Sequence, residues 1–125
     1  MPVSGYYEWQ DTPEGKQPWY FTARDGSPVL TIAGLWMNGR TAKQVRPRAM
    51  IIREPNEFVA EMHDRMPVLL KPNQFKHWLS GNMGVEELKP VESDYLQRWA
   101  VSKRINSSKA DSNDPTLIDA VRQAA

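Results

Sequence analysis

In the first half of the chain, apolar and aromatic runs are cut by Pro, Gly and Asn turn signals into short pieces, the pattern of several short strands. Val3 to Gln10 (VSGYYEWQ) is rich in aromatics, which favours a strand. Alternation puts Tyr7 and Trp9 on one face and Tyr6, Glu8 and Gln10 on the other. Pro13-Glu14-Gly15 marks a turn, and Gln17 to Arg24 (QPWYFTAR) a second strand. Asp25-Gly26 suits a tight hairpin. A third strand, Pro28 to Met37, has almost no polar residues and is predicted to be buried. Asn38-Gly39 is another turn signal ahead of a fourth strand, Arg48 to Arg53. Strands in hairpin order imply a largely antiparallel sheet.

The pattern then changes. Asn56 to Met62 predicts a short helix with Phe58, Val59 and Met62 on one side. Met66 to Leu70 reads as a short apolar strand. Pro72 to Leu79 reads as a helix with Pro72 in its first turn and Phe75, Trp78 and Leu79 at helical spacing. Gly84 to Leu88 adds a helical turn, and Tyr95 to Ile105 a late strand. Asn106 to Asp114 is a polar loop, with Leu117-Ile118 as an anchor behind it. The expected class is α+β: a largely antiparallel β-sheet with a few short peripheral helices.

Length and composition narrow the function. The chain has 125 residues, a single domain's worth or less. Sixteen Lys and Arg against fifteen Asp and Glu leave a formal charge of +1, so nucleic-acid contact needs local clustering. Two stretches are locally basic: Arg40, Lys43, Arg46, Arg48 and Arg53, then Arg98, Lys103, Arg104 and Lys109. They fit a phosphate-binding face. They equally fit solvated strand edges, where cations discourage edge pairing. No apolar run approaches a membrane span and no secretory signal pattern opens the chain, so a cytoplasmic location is expected.

Cysteine is absent, which excludes disulfides, zinc–cysteine sites and thiol chemistry from these residues. The two histidines, His63 and His77, have no paired spacing, so no metal is expected, and no glycine-rich loop suggests a cofactor.

Two places carry candidate proton chemistry. Glu8 sits inside an aromatic strand where propensity disfavours it. If its face lines a cleft, desolvation raises its pKa and it can both give and take a proton. If its face is solvated, it is an ordinary polar residue. His63-Asp64-Arg65 lies where a predicted helix hands over to a buried strand. His63 can exchange protons near neutral pH and Arg65 can hold a phosphate. Alternatively the run is a structural knot, with Asp64 turning the backbone and pairing with Arg65. The tryptophans default to core, with one or two free to stack on bases.

Gly5-Tyr6-Tyr7-Glu8-Trp9, Lys16-Gln17-Pro18-Trp19-Tyr20, Ala33-Gly34-Leu35-Trp36, Met62-His63-Asp64-Arg65-Met66-Pro67-Val68-Leu69-Leu70, Val101-Ser102 with Asn106, and Leu117-Ile118 follow one another in this order. In this the chain resembles the SRAP family, the SOS-response-associated peptidases or abasic-site processing proteins. The resemblance implies a barrel-like sheet and covalent capture of abasic sites in single-stranded DNA. In the family the initiator methionine is removed, and the exposed cysteine's amine and thiol close a thiazolidine ring on the sugar aldehyde. The resemblance makes Glu8 the proton-handling glutamate, His63 the histidine acting at the sugar, and Arg65 a phosphate contact. Trp9, Ser102, Lys103, Arg46 and Arg48 are further expected DNA contacts.

The chain departs from the family pattern in three places. Members begin Met-Cys-Gly-Arg and carry a further N-terminal part before the aromatic strand, so residues 1–125 are expected to form a partial SRAP domain, inactive alone. Ile51-Ile52-Arg53 stands where a threonine is expected, and Lys103 where an arginine is usual. Two other readings remain: a single-stranded DNA-binding module without chemistry, and a fragment completed by a partner chain or a second copy.

Overall fold

The computed structural model describes residues 1–36 and 48–121; side-chain placement is not described for Trp36, Arg48 and Val85. Among these residues the strands are β1 (Pro2–Val3), β2 (Tyr6–Thr12), β3 (Gly15–Ala23), β4 (Leu30–Thr31), β5 (Gly34–Trp36), β6 (Arg48–Met50), β7 (Ile52–Arg53), β8 (Met66–Pro67) and β9 (Leu96–Ala100). The α-helices are short: α1 (Glu57–Ala60) and α2 (Phe75–Leu79), with single 3₁₀ turns elsewhere. The class is α+β and every strand pair among them is antiparallel, as expected.

The central sheet has the order β2-β3-β9. β2 and β3 form a hairpin in which Tyr6 faces Phe21 and Thr12 faces Gly15. The turn falls at the predicted Pro13-Glu14, and Gly15 closes it at φ +111°, a conformation that favours glycine. Gly5 answers a different need. A Cβ there would meet Phe21 O at 2.5 Å, so only glycine lets β2 enter the hairpin this close to β3.

The second expected hairpin does not form. Asp25-Gly26 does turn, with Asp25 Oδ1 accepting from Ser27 N at 2.8 Å. The chain beyond it leaves β3 and pairs with β1 instead. Pro28 has no N–H to offer a ladder. The free edge of β3 is taken by β9, which pairs from Ala23↔Leu96 to Trp19↔Ala100.

The long third and fourth strands are also broken, where three chain segments meet. Ala33 N donates to Val68 O and Ala33 O accepts from Ile51 N, while Ile51 O accepts from Val68 N. On either side of this junction the partners change: β5 pairs with β6, and β7 with β8. Among the described residues the strands make four separate sheets and do not close into a barrel. The late strand stops at Ala100, because Ser102 Oγ accepts from Arg104 N and starts a 3₁₀ turn over Lys103–Asn106.

Two clusters fill the interior. One joins Phe21, Leu30, Val59, Met66, Leu69 and Leu96; the other joins Ala33, Val68, Leu70, Met83 and Leu88. α1 is docked on the first by Val59, which is fully buried. Asn56 caps the helix by accepting from Val59 N at 2.9 Å and donating to Val91 O at 2.8 Å. That fixes where α1 begins, four residues of helix ahead of the turn that carries His63.

Candidate functional site

The two faces of β2 separate as the alternation predicts. Tyr7 and Trp9 lie together, with ring centroids 6.1 Å apart, and Tyr7 continues into Tyr20 and Trp99. On the opposite face Tyr6 stacks on the core residue Phe21 at 5.1 Å. Glu8 stands beside it with its side chain only 17% exposed.

His63 reaches the same place from the end of α1, where His63 N donates to Val59 O at 2.9 Å. Its Nε2 lies 3.7 Å from Glu8 Oε2, an ion-pair distance longer than a hydrogen bond. Nδ1 lies 3.2 Å from Arg65 N and 3.1 Å from Arg65 O. In the neutral ring, Nδ1 accepts from Arg65 N and the ring proton sits on Nε2, towards Glu8. Protonation turns Nδ1 into a donor to Arg65 O. Either way the backbone of Arg65 fixes the ring's orientation. The knot weighed from the sequence is therefore closed by His63 and not by Asp64. Asp64 is exposed, with Oδ1 3.5 Å from His63 Nδ1.

Burial pushes the Glu8 carboxyl above the ordinary carboxylate range; His63 pulls it partly back and Asp64 pushes it up. The Tyr6 hydroxyl is buried without a hydrogen-bond partner, and burial raises its ionisation too, with Glu8 adding to the effect. The group beside Glu8 is thus a neutral phenol. A carboxyl whose ionisation is raised by burial, beside an oriented imidazole, can both give and take a proton.

Glu8, His63 and Arg65 line one cavity of about 240 Å³, together with Met50, Ile52 and Pro67. The other expected contacts are elsewhere. Trp9 Nε1 donates to Asn106 Oδ1 at 2.5 Å, and Asn106 in turn donates to Lys16 O. Ser102 is engaged as the 3₁₀ cap, and Lys103 Nζ reaches Glu14 O at 3.4 Å. Trp9 and Lys103 thus link the β2–β3 hairpin to the segment after β9, and Trp9 shares a second groove with Glu8 and His63. Arg48 lies in β6 opposite Trp36, and Arg46 falls outside the described residues.

Of the basic stretches, Arg53, Arg98 and Arg104 are each engaged within the fold. Arg53 donates to Leu88 O at 3.3 Å and to Glu54. Arg104 engages Asp114 and Thr116. Arg98 points inward: its side chain is 13% exposed and bonds Phe58 O at 2.6 Å and Glu61 Oε2 at 2.5 Å. Sequence reasoning placed Arg98 among surface cations and missed this. The signal was present, since Leu96 and Ala100 share its face of β9 and both are buried.

A larger cavity, about 400 Å³, lies by Leu35, Phe75, Trp78 and Leu79, with no ionisable side chain in its lining. Among the described residues no group of three His, Cys, Asp or Glu could hold a metal ion, and no helix is long and apolar enough to cross a membrane.

Comparison with known proteins meets this geometry from the other side. A family model described as SOS response associated peptidase (SRAP) matches residues 1–108. The abasic site processing protein YoqW of Bacillus subtilis is 30% identical over 127 residues, covering 95% of this chain and 55% of YoqW. YoaM of the same organism, with the same description, is 30% identical, covering 96% of this chain and 55% of its own. The chain therefore spans about half the length of these relatives. A crystal structure of a Bacteroides thetaiotaomicron protein superposes with a TM-score of 0.83 at 21% identity, over 98% of this chain and 56% of that one.

Proposed function

The chain belongs to the SOS response associated peptidase family, and on that premise we propose that its Glu8–His63–Arg65 cavity serves the capture of abasic sites in single-stranded DNA. The observation that carries the reading is the pairing of a mostly buried carboxyl, Glu8, with an imidazole 3.7 Å away in one cavity with Arg65. The names of YoqW and YoaM point the same way.

The chemistry joins an amine, a thiol and a sugar aldehyde into a thiazolidine with loss of one water. The amine attacks the aldehyde carbon, the resulting hydroxyl leaves as water, and the thiol adds to the imine carbon to close the ring. Glu8 gives the proton that the departing hydroxyl needs and takes the one the thiol sheds. His63 assists at the sugar oxygen, and Arg65 holds the flanking phosphate. These 125 residues contain no cysteine, so the thiol must come from outside them. On this reading they form the proton-handling part of a larger domain.

The test supplies the missing nucleophile. Single-stranded DNA with one abasic site is incubated with the protein, with and without a synthetic peptide beginning Cys-Gly-Arg. The protein alone gives no band shift on a denaturing gel. With the peptide, peptide–DNA adduct forms faster in its presence than without it. A covalent band from the protein alone, or no acceleration, overturns the reading.

A second reading has its own observation. Met50 and Ile52, on the rim of the same cavity, are 52% and 48% exposed. Exposed apolar residues at a site's edge favour a covering protein segment, whether a second copy or a partner chain. Sedimentation that shows one concentration-independent monomer counts against it.

A further inference from the structure

We infer that Arg98 is a positioning residue that clamps the end of α1 and so holds His63 opposite Glu8. Arg98 lies in β9, opposite Phe21 of β3 in the ladder. Its guanidinium reaches across the sheet face to α1 with two charge-assisted hydrogen bonds, to Phe58 O at 2.6 Å and Glu61 Oε2 at 2.5 Å. Its carbon Cζ sits 4.1 Å over the Phe58 ring and 5.5 Å from the Trp19 ring, and Phe21 meets Phe58 edge-on. Phe58 O belongs to the closing turn of α1, where carbonyls lack helical partners. Glu61 is two residues before His63. α1 has only four residues and cannot hold its own end. Asn56 fixes its start; Arg98 fixes its end.

The geometry explains why an arginine is used. A guanidinium, with several N–H donors set in one plane, can bind a carbonyl and a carboxylate together while its carbon sits over an aromatic ring. A lysine keeps the charge and loses one of the two bonds. The inference rests on Glu8 and His63 being the working pair, and its test is independent of DNA chemistry.

The readout is the Glu8 carboxyl titration by ¹³C NMR, with Tyr6, His63 and Asp64 as the neighbouring titratable groups. In the parent protein His63→Gln shifts the Glu8 titration upward, because His63 pulls it down. In an Arg98→Met background the same substitution should lose at least half of its effect, and in Arg98→Lys an intermediate share. Glu61→Gln, at an exposed carboxylate, removes one arm without touching the core and should lose a smaller share. It keeps the inference falsifiable if Arg98→Met fails to fold. An undiminished His63 effect in Arg98→Met, or in Glu61→Gln should Arg98→Met not fold, overturns it. If coupling is lost as expected but Glu8→Gln leaves adduct formation unchanged, the proposed function fails and the clamp stands.

Discussion

The Glu8–His63 pair has a cavity on each side, and the two differ in charge. On one side lie Met50, Ile52, Met66 and Pro67, with Arg65 the one charged side chain besides the pair. On the other, a groove of about 480 Å³ is lined by Asp11, Lys16, Glu61 and Asp64. Lys16 is paired with Asp11 and Glu61 with Arg98, while Asp64 lies 3.5 Å from the His63 imidazole, so the groove carries more acid than base. A polyanion approaching the acidic groove meets repulsion; approaching the apolar cavity it meets a cation. The same two residues therefore face one side that carries a cation and one side that is predominantly acidic. Trp9, an expected DNA contact, lies in the acidic groove beside the proposed Glu8–His63 pair, bonded to Asn106.

The largest expected effect bears on the pair itself. Glu8→Gln should slow peptide-complemented adduct formation by about 100-fold, the usual scale of general acid–base catalysis. The rate from densitometry of denaturing gels checks it, and a change under threefold would mean the pair is not what joins the two sides. The next effect tests the sides against each other. Arg65→Glu should weaken single-stranded DNA binding by about tenfold and lower the salt slope by about one phosphate contact. Lys16→Glu in the acidic groove should change binding by less than about twofold. Fluorescence anisotropy at several salt concentrations separates them. Equal losses would erase the distinction.

Much of this contrast was legible in the sequence, and the reason is local. Strand alternation alone separates Glu8 from Trp9, and Pro13-Glu14-Gly15 announces its turn. Glu8 stood out because a charged residue inside an aromatic strand conflicts with propensity, and such conflicts concentrate at functional sites. What stayed hidden is what depends on partners far along the chain. The break at Ala33 arises from Ile51 and Val68, and nothing in Pro28 to Met37 signals it. The exchange of the expected hairpin partner for β9 joins residues more than seventy positions apart. Arg98 sits between these cases. Its charge suggested the surface, but its register with Leu96 and Ala100 placed it inside.

A smaller effect concerns stability against pH. Because burial raises the Glu8 pKa in the folded state, the folded chain binds more protons than the unfolded one between the two pKa values. Stability therefore falls as pH rises through that window. Glu8→Gln removes this penalty, so its thermal midpoint should exceed the parent's at neutral pH and converge with it in acid. Melts across that range check it, and a gap that widens towards acid would reverse the sign.

The smallest effect isolates the acidic groove. Asp64 is exposed and makes no contact with the apolar cavity, yet its charge pushes the Glu8 carboxyl up. Asp64→Asn should lower the Glu8 titration slightly, and high salt should shrink the difference, since an exposed charge is screened. His63→Gln moves the same titration the other way and, across a less exposed gap, should resist salt better. If both shifts vanish together in salt, the two sides of Glu8 are equally open to solvent and the contrast between them is one of charge alone.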